Sequence, residues 1–382
     1  MSHATPPGHP GGHPGGHPGS RPAPGSEIPR LVAWEVTRAC NLNCLHCRAA
    51  AIDEPDPEQL TTEEGYKLID QIATLANGQQ IILILTGGEP LLRSDIFDLA
   101  AYGTEKGLRV VMAPNGTLLT LERARRMKES GIQRISLSID GANAADHDQF
   151  RGVAGAFNGT MQGLKNAVDA GLEFQVNTVV TRSNLPQIEA IQDMVIDLGA
   201  AAHHIFLLVP TGRGRNLKEE IISAQEYEDV LNWFYDRDAQ VPIELKATCA
   251  PHYFRILRQR ADEEGKTVDF QNFGLNAVSR GCLGGQGFVF VSHTGQVQPC
   301  GYLELDCGQV REKDFGEIYR TSPIFLELRD RSCYTGKCRV CEYFKVCGGC
   351  RARAYEATGN YLEEEPLCLF EPPGADRGRE TP

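Results

Sequence analysis

The sequence predicts an α/β protein: an open, partial (β/α)6 barrel followed by a cysteine-rich, metal-holding C-terminal domain. Three observations predict it. Six apolar, strand-like runs between Leu31 and Leu208 alternate with segments of helical period, which implies a parallel sheet with helices packed outside it. Six units are too few to close the eight-unit barrel, so the sheet is expected to stay open. Three cysteines, Cys40, Cys44 and Cys47, follow the first run in Cys-x3-Cys-x2-Cys spacing, and nine of the other ten lie beyond residue 281.

Composition sets the outer bounds. The chain has 382 residues, 41% hydrophobic and 23% charged, enough for a catalytic domain and a smaller one. No apolar run approaches the ~20 residues of a membrane span, and the N-terminus has no apolar signal core, so a cytoplasmic protein without a membrane span is expected. A formal net charge of −12 argues against a nucleic-acid partner. Thirteen cysteines in an intracellular chain of this size read as metal ligands before disulfides. Residues 1–27 carry a four-residue Gly/His/Pro repeat from Gly8 to Pro18. That composition buries too little apolar surface to offset the entropy of ordering, so a disordered tail with incidental metal affinity is expected.

The strand-like runs are Leu31–Val36, Ile81–Leu85, Leu108–Met112, Ile132–Ile139, Leu172–Val180 and Ala202–Leu208. Thr61 is a candidate N-cap for the helix that begins at Thr62, with Glu64 placed to complete a capping box. The site belongs at the C-terminal ends of the strands, where the loops converge. Cys40–Cys47 sits there. Four-iron clusters are usually held by four thiolates, so three local ones leave an iron open to a ligand. A zinc site is the alternative, and it fits less well because zinc sites usually come as cysteine pairs. The second strand runs into Gly87-Gly88-Glu89-Pro90. Its glycines permit close backbone approach, and Glu89 can accept hydrogen bonds from an ammonium group.

Asn115, Ser138 and Asn177 close the next three strands as polar residues in apolar surroundings, either facing a cofactor or satisfied within the core. After the sixth strand, Arg213 and Arg215 flank Gly214, and guanidinium groups on such a loop suit carboxylates. His203 and His204 are adjacent on the sixth strand, so one of the pair must face inward. Lys246, Cys249, His252 and Arg255 follow in a segment expected to connect two domains. The proposed divisions are 28–240 for the barrel, 241–280 for the connection, 281–372 for the cysteine-rich domain and 373–382 for a disordered tail.

The cysteine triplet followed one βα unit later by Gly87–Pro90 resembles the radical S-adenosylmethionine (SAM) enzymes. The run Cys282, Cys300, Cys338-x2-Cys341-x5-Cys347-x2-Cys350 and Cys368 resembles their SPASM-type C-terminal extension, with one residue fewer than usual before Cys350. The stretches 33–40, 203–214, 246–253, 280–285 and 347–355 look like the heme synthase family of the siroheme-dependent alternative heme pathway, and the likeness spans roughly residues 29–372. The resemblance implies a SAM-binding [4Fe-4S] cluster on Cys40, Cys44 and Cys47, with His46 against the adenine, Gly87–Pro90 at the SAM amino group and Ser138 near the ribose or carboxylate. It also implies one or two auxiliary [4Fe-4S] clusters. Cys338, Cys341, Cys347 and Cys368 would hold one. Cys282, Cys300 and Cys350 would ligate another, with Cys307 or an open iron completing it.

The implied reaction is oxidative decarboxylation of two propionates of the iron porphyrin Fe-coproporphyrin III, with an electron donor protein as partner. Arg213, Arg215, Lys246 and Arg255 are the candidate propionate partners, and His203, His204, His252 or Cys249 would hold the ring iron. The alternatives are a didecarboxysiroheme deacetylase, a heme d1 enzyme, a peptide-modifying maturase, or a non-catalytic iron–sulfur carrier, which would have no use for the SAM motif.

Overall fold

The computed structural model describes residues 27–375. The histidine repeat lies outside them, as do almost all of the residues assigned to disordered tails. In chain order come β1 (Leu31–Thr37), α1 (Thr62–Ala76), β2 (Ile82–Gly87), α2 (Ile96–Glu105), β3 (Arg109–Met112), α3 (Leu121–Glu129) and β4 (Arg134–Ser138). Then follow α4 (Ala144–Arg151), α5 (Ala156–Asp169), β5 (Glu173–Val180), α6 (Ile188–Asp197), β6 (Ala202–Leu207), α7 (Ala224–Asp238), β7 (Glu244–Thr248) and α8 (Tyr253–Glu263). All six expected strands form. Strands β1 to β7 pair in parallel and in sequence order, which leaves the helices outside a curved, open sheet.

The sheet is longer than six units. The segment expected to connect two domains instead supplies β7, hydrogen-bonded in parallel to β6. Further on, β8 (Phe288–Val291) returns to pair in parallel with β1, and β9 (Gln296–Gln298) and β10 (Gly308–Gln309) extend that edge antiparallel. The cysteine-rich part is thus joined to the barrel through the β1–β8 seam and by residues beyond β7.

Alternation along the strands defines two faces. Ile135, Leu137, Phe174 and Val176 are buried and pack with the helices in one core that also holds Trp34, Leu68 and Leu99. Ile205, Leu207 and Leu245 pack with Tyr227, Leu231 and Phe234 of α7 and Leu257 of α8 in a second. The opposite face, carrying Ser136, Ser138, Gln175, Asn177, His204 and Lys246, is only partly covered and lines the lumen. Thr61 caps α1 through a complete capping box with Glu64, and Glu64 also pairs with Arg311 at 2.6 Å, tying the helix to the C-terminal part. Among the described residues no helix is long and apolar enough to cross a membrane.

Candidate functional site

The Cys40–Cys47 loop leaves the C-terminal end of β1 and folds back so that Cys40 N donates to Ile52 O at 2.9 Å. Three elements hold it. From the end of β2, Gly88 N and Glu89 N donate to Thr37 O and Ala39 O at 2.8 Å each. A Cβ on Gly88 would stand 2.2 Å from Ala39 O, so only glycine allows this approach. Gly87 is equally tight against Thr37 O, and Pro90 opens a turn over 90–92 in which Pro90 and Leu91 are buried. From α4, the carbonyls of Phe150 and Arg151 accept from Leu45 N and Asn43 N at 3.0 and 3.2 Å. From the loop after β6, Gly212 lies at φ 55° with its missing Cβ 2.2 Å from Arg48 O.

Four donors face the three sulfurs. Leu42 N and Asn115 Nδ2 reach Cys40 Sγ at 3.4 and 3.9 Å, Arg151 Nη1 reaches Cys44 Sγ at 3.7 Å, and Ala51 N reaches Cys47 Sγ at 3.4 Å. Arg151 is itself buried and ion-paired with Asp140. Burial and then the nearby Glu89, Cys44 and Cys47 push the Cys40 thiol up to about 11. Crowded thiols under N–H donors suit a bound cationic centre, which supplies the charge that would keep them ionised.

Glu89 is fully buried, and burial raises its carboxyl to about 7. Its oxygens accept from Leu91 N at 3.0 Å and Asn115 N at 2.6 Å, so it joins the ends of β2 and β3. Asn115 in turn donates to Asn41 Oδ1 at 2.8 Å, inside the cysteine loop. His46 does not present two free faces: one is stacked on Phe150 at 4.3 Å. Burial and then Arg151 lower its imidazole to about 3, so it is neutral at physiological pH.

Strand register brings four candidates into one row. Ser138 on β4 is opposite Asn177 on β5, Asn177 opposite His204 on β6, and His204 opposite Lys246 on β7. All four belong to the half-covered lumen face. Gln175 Nε2 lies 2.9 Å from His204 Nδ1 and 3.0 Å from Asn177 Oδ1, which bridges the two. His203 is excluded from the lumen: it is wholly buried on the helix face, with Nε2 2.9 Å from Thr178 Oγ1.

The arginines expected at the substrate are engaged elsewhere. Arg213 donates from Nε to Cys44 O at 2.9 Å and from Nη1 to Ala51 O at 3.0 Å, so it braces the cysteine loop. Arg215 is exposed and paired with Glu356 at 2.8 Å. Arg255 is buried against Glu228 and lines a C-terminal cavity together with His252.

That cavity is ringed by Cys338, Cys341, Cys347 and Cys368. Burial, followed by Cys338, Cys368 and Cys341, holds the Cys347 thiol well above its usual range. His252 is completely buried there, and neither ring nitrogen has a hydrogen-bond partner. A second group contains Cys282, Cys300 and Cys350, and the fourth thiol beside them is Cys249. Cys249 has a left-handed backbone, φ 52°, rare for a residue with a Cβ. Its carbonyl accepts from Arg353 Nη2 at 2.9 Å and Tyr227 Oη at 3.2 Å, which holds that conformation. Cys307 stands apart, near Ser322, Asp306 and Arg329, and does not complete the group. Among the described residues no three Cys, His, Asp or Glu side chains converge closely enough to hold a single metal ion.

The profile of the Radical SAM superfamily matches residues 34–195. The AdoMet-dependent heme synthase of Nitratidesulfovibrio vulgaris is 58% identical over 91% of this chain and 94% of its own length. The chain belongs to that family of radical SAM enzymes. At greater distance stands the Fe-coproporphyrin III synthase of Methanosarcina barkeri, 31% identical over 89% of this chain and 88% of its own. Among solved structures, Streptococcus suis SuiB bound to S-adenosylmethionine superposes with a TM-score of 0.69 at 17% identity, covering 90% of this chain and 78% of that one. At that identity the likeness concerns the fold, and it places the family's parallel sheet and cysteine-rich end in one architecture. Membership implies a [4Fe-4S] cluster and SAM, and the donors facing Cys40, Cys44 and Cys47 would suit the thiolates of such a cluster.

Proposed function

We propose that this enzyme converts two propionates of Fe-coproporphyrin III to vinyls, giving protoheme. The observation that carries the reading is the 58% identity to a heme synthase over nearly the whole of both chains, against 31% to a relative whose named product is Fe-coproporphyrin III. Bound at Cys40, Cys44 and Cys47, the cluster and SAM supply a deoxyadenosyl radical strong enough to remove hydrogen from an unactivated C–H bond.

The chain's own residues set where that happens. Gly87 and Gly88 bring the β2 backbone against the cysteine loop, and Arg213 and Arg151 fix the loop from two other sides. Ser138 and Asn177 face the cofactor end of the lumen row, and His204 and Lys246 face the substrate end. Lys246 suits a propionate. A propionate that has lost a β-hydrogen becomes a vinyl by releasing carbon dioxide and one electron, so an acceptor must lie close. Cys338, Cys341, Cys347 and Cys368 are suited to hold one auxiliary [4Fe-4S] cluster, and Cys249, Cys282, Cys300 and Cys350 a second. An electron donor protein would supply the reducing equivalent that starts each SAM cleavage.

The test is an anaerobic product assay with Fe-coproporphyrin III set beside didecarboxysiroheme. Protoheme, with two carbon dioxide and two 5′-deoxyadenosine released per ring, is the expected result. Consumption of didecarboxysiroheme alone would replace the assignment with the deacetylase.

A further inference from the structure

Arg48 follows Cys47 directly and reaches across the β1–β8 seam toward the second cysteine group. Its guanidinium carbon lies 4.4 Å from the centre of the Phe290 ring on β8. Nη2 is paired with Glu35 Oε2 at 2.8 Å, and Nη1 donates to Gly301 O at 3.4 Å. The other Glu35 oxygen is 2.8 Å from His293 Nδ1, whose Nε2 is 3.1 Å from Asp56 Oδ2. A chain of polar side chains therefore runs Asp56–His293–Glu35–Arg48, and Glu35 is only 3% exposed.

The end of this chain meets a particular peptide group. The C=O of Gly301 and the N–H of Tyr302 belong to one peptide plane, and Tyr302 N donates to Cys300 Sγ at 3.5 Å. A cation on the oxygen side of a peptide polarises it and strengthens the N–H as a donor. The sulfur environment of Cys300 is thus set in part by a guanidinium one residue from Cys47. Buried ion pairs of this kind are often no more stabilising than well-packed apolar residues of similar volume, so stability alone is a poor reason for one at this seam.

We propose that Arg48 is a positioning residue that tunes the iron–sulfur centre on Cys249, Cys282, Cys300 and Cys350, acting through the Gly301–Tyr302 peptide. The proposal rests on reading that group as an iron–sulfur site. Hydrogen bonds to the sulfurs and local charge are the levers by which a protein sets a cluster's reduction potential. Removing the guanidinium weakens the N–H···S bond and takes away a nearby positive charge, and both changes make the centre harder to reduce. Removing the Glu35 charge leaves Arg48 uncompensated and acts in the opposite sense.

The test is a redox titration of the full-length, anaerobically reconstituted enzyme, followed by electron paramagnetic resonance. Arg48→Ala is expected to shift the potential of the auxiliary signal downward, Arg48→Lys to recover part of that shift, and Glu35→Gln to move it upward. Parental titration curves for Arg48→Ala would overturn the proposal. If Arg48→Ala takes up no iron, unshifted curves for both Arg48→Lys and Glu35→Gln would overturn it equally. Loss of no auxiliary signal on Cys300→Ala would instead remove the iron–sulfur reading of the group, and the proposal with it. Failure of the parent to make protoheme would count against the substrate assignment while leaving these shifts intact.

Discussion

Arg213 shows how one side chain decides between two roles. A guanidinium between glycines on an active-site loop is chemically suited to a carboxylate, yet here Nε and Nη1 are spent on Cys44 O and Ala51 O, and Nη2 is buried without a hydrogen-bond partner. Hydrogen bonds from charged groups contribute roughly 1.5–3 kcal/mol each, so Arg213→Ala should release the cysteine loop and leave substrate contacts untouched. The expected outcome is loss of 5′-deoxyadenosine formation without any porphyrin present, together with lower iron content. Arg213→Lys should fail to rescue, because a single ammonium cannot span two carbonyls in fixed geometry. Substrate-free SAM cleavage at the parental rate would show that the loop does not depend on this brace. The sequence offered no means of telling the two roles apart, because the residues that occupy Arg213 lie more than 160 positions away. Cys249 was legible as a thiol, but its place beside Cys282, Cys300 and Cys350 depends on a left-handed turn that no spacing rule reveals.

Among the elements, the strands that carry the site were legible because each sets buried apolar residues at alternate positions between turn residues. β7 was not, since Glu244–Thr248 has only Leu245 and Ala247 facing the core, too short an alternation to separate from a connecting loop. Its placement matters, because it adds Lys246 to the row of Ser138, Asn177 and His204. The two faces of the sheet at β6 and β7 then predict two kinds of variant. His204→Ala and Lys246→Ala, on the lumen face, should weaken Fe-coproporphyrin III binding. For Lys246, loss of a charge-assisted bond of roughly 1.5–3 kcal/mol corresponds to about ten- to a hundredfold in affinity. His203→Ala, on the helix face, should leave affinity unchanged while lowering thermal stability, since it empties a fully buried position and removes one of the two hydrogen bonds of Thr178 Oγ1, which keeps only Ile139 O. Absorbance titrations with the iron porphyrin and thermal unfolding of the same variants separate the cases. Equal affinity for all three and the parent would remove the row from the substrate site.

The loop after β6 carries a second element-scale expectation. Gly212 occupies a left-handed conformation and has no room for a Cβ against Arg48 O. Gly212→Ala should therefore push the loop off the cysteines and lower the iron bound at the triplet, whereas alanine at Gly199, where no atom lies within 4 Å of the added carbon, meets only the backbone cost of its positive φ. Iron analysis of the two purified variants checks the contrast, and equal iron in both would mean the Gly212 contact is not required.

At the scale of the whole molecule, the sheet unites regions that a linear reading divides. β8 pairs with β1, and Gly281 and Cys282 donate to the carbonyls of Val346 and Cys347 at 2.7 and 3.0 Å, so one cysteine group is laced to the next. Glu365 lies at the outer cavity yet accepts from Cys350 N at 2.6 Å and pairs with Arg353, which also holds the Cys249 carbonyl. The two cysteine groups are thus linked directly by backbone hydrogen bonds and through Glu365 and Arg353, a coupling that suits electron transfer between them. That arrangement predicts separable defects. Cys341→Ala, in the outer group that lines the C-terminal cavity, should still cleave SAM but should stop forming protoheme. Cys40→Ala should abolish SAM cleavage while iron remains in the C-terminal part. The measurement is 5′-deoxyadenosine and porphyrin product quantified in the same anaerobic reaction, with metal content determined beforehand. Product formation by Cys341→Ala at the parental rate, or zinc in place of iron at the C-terminal cysteines, would rule out an electron-accepting role for the outer group.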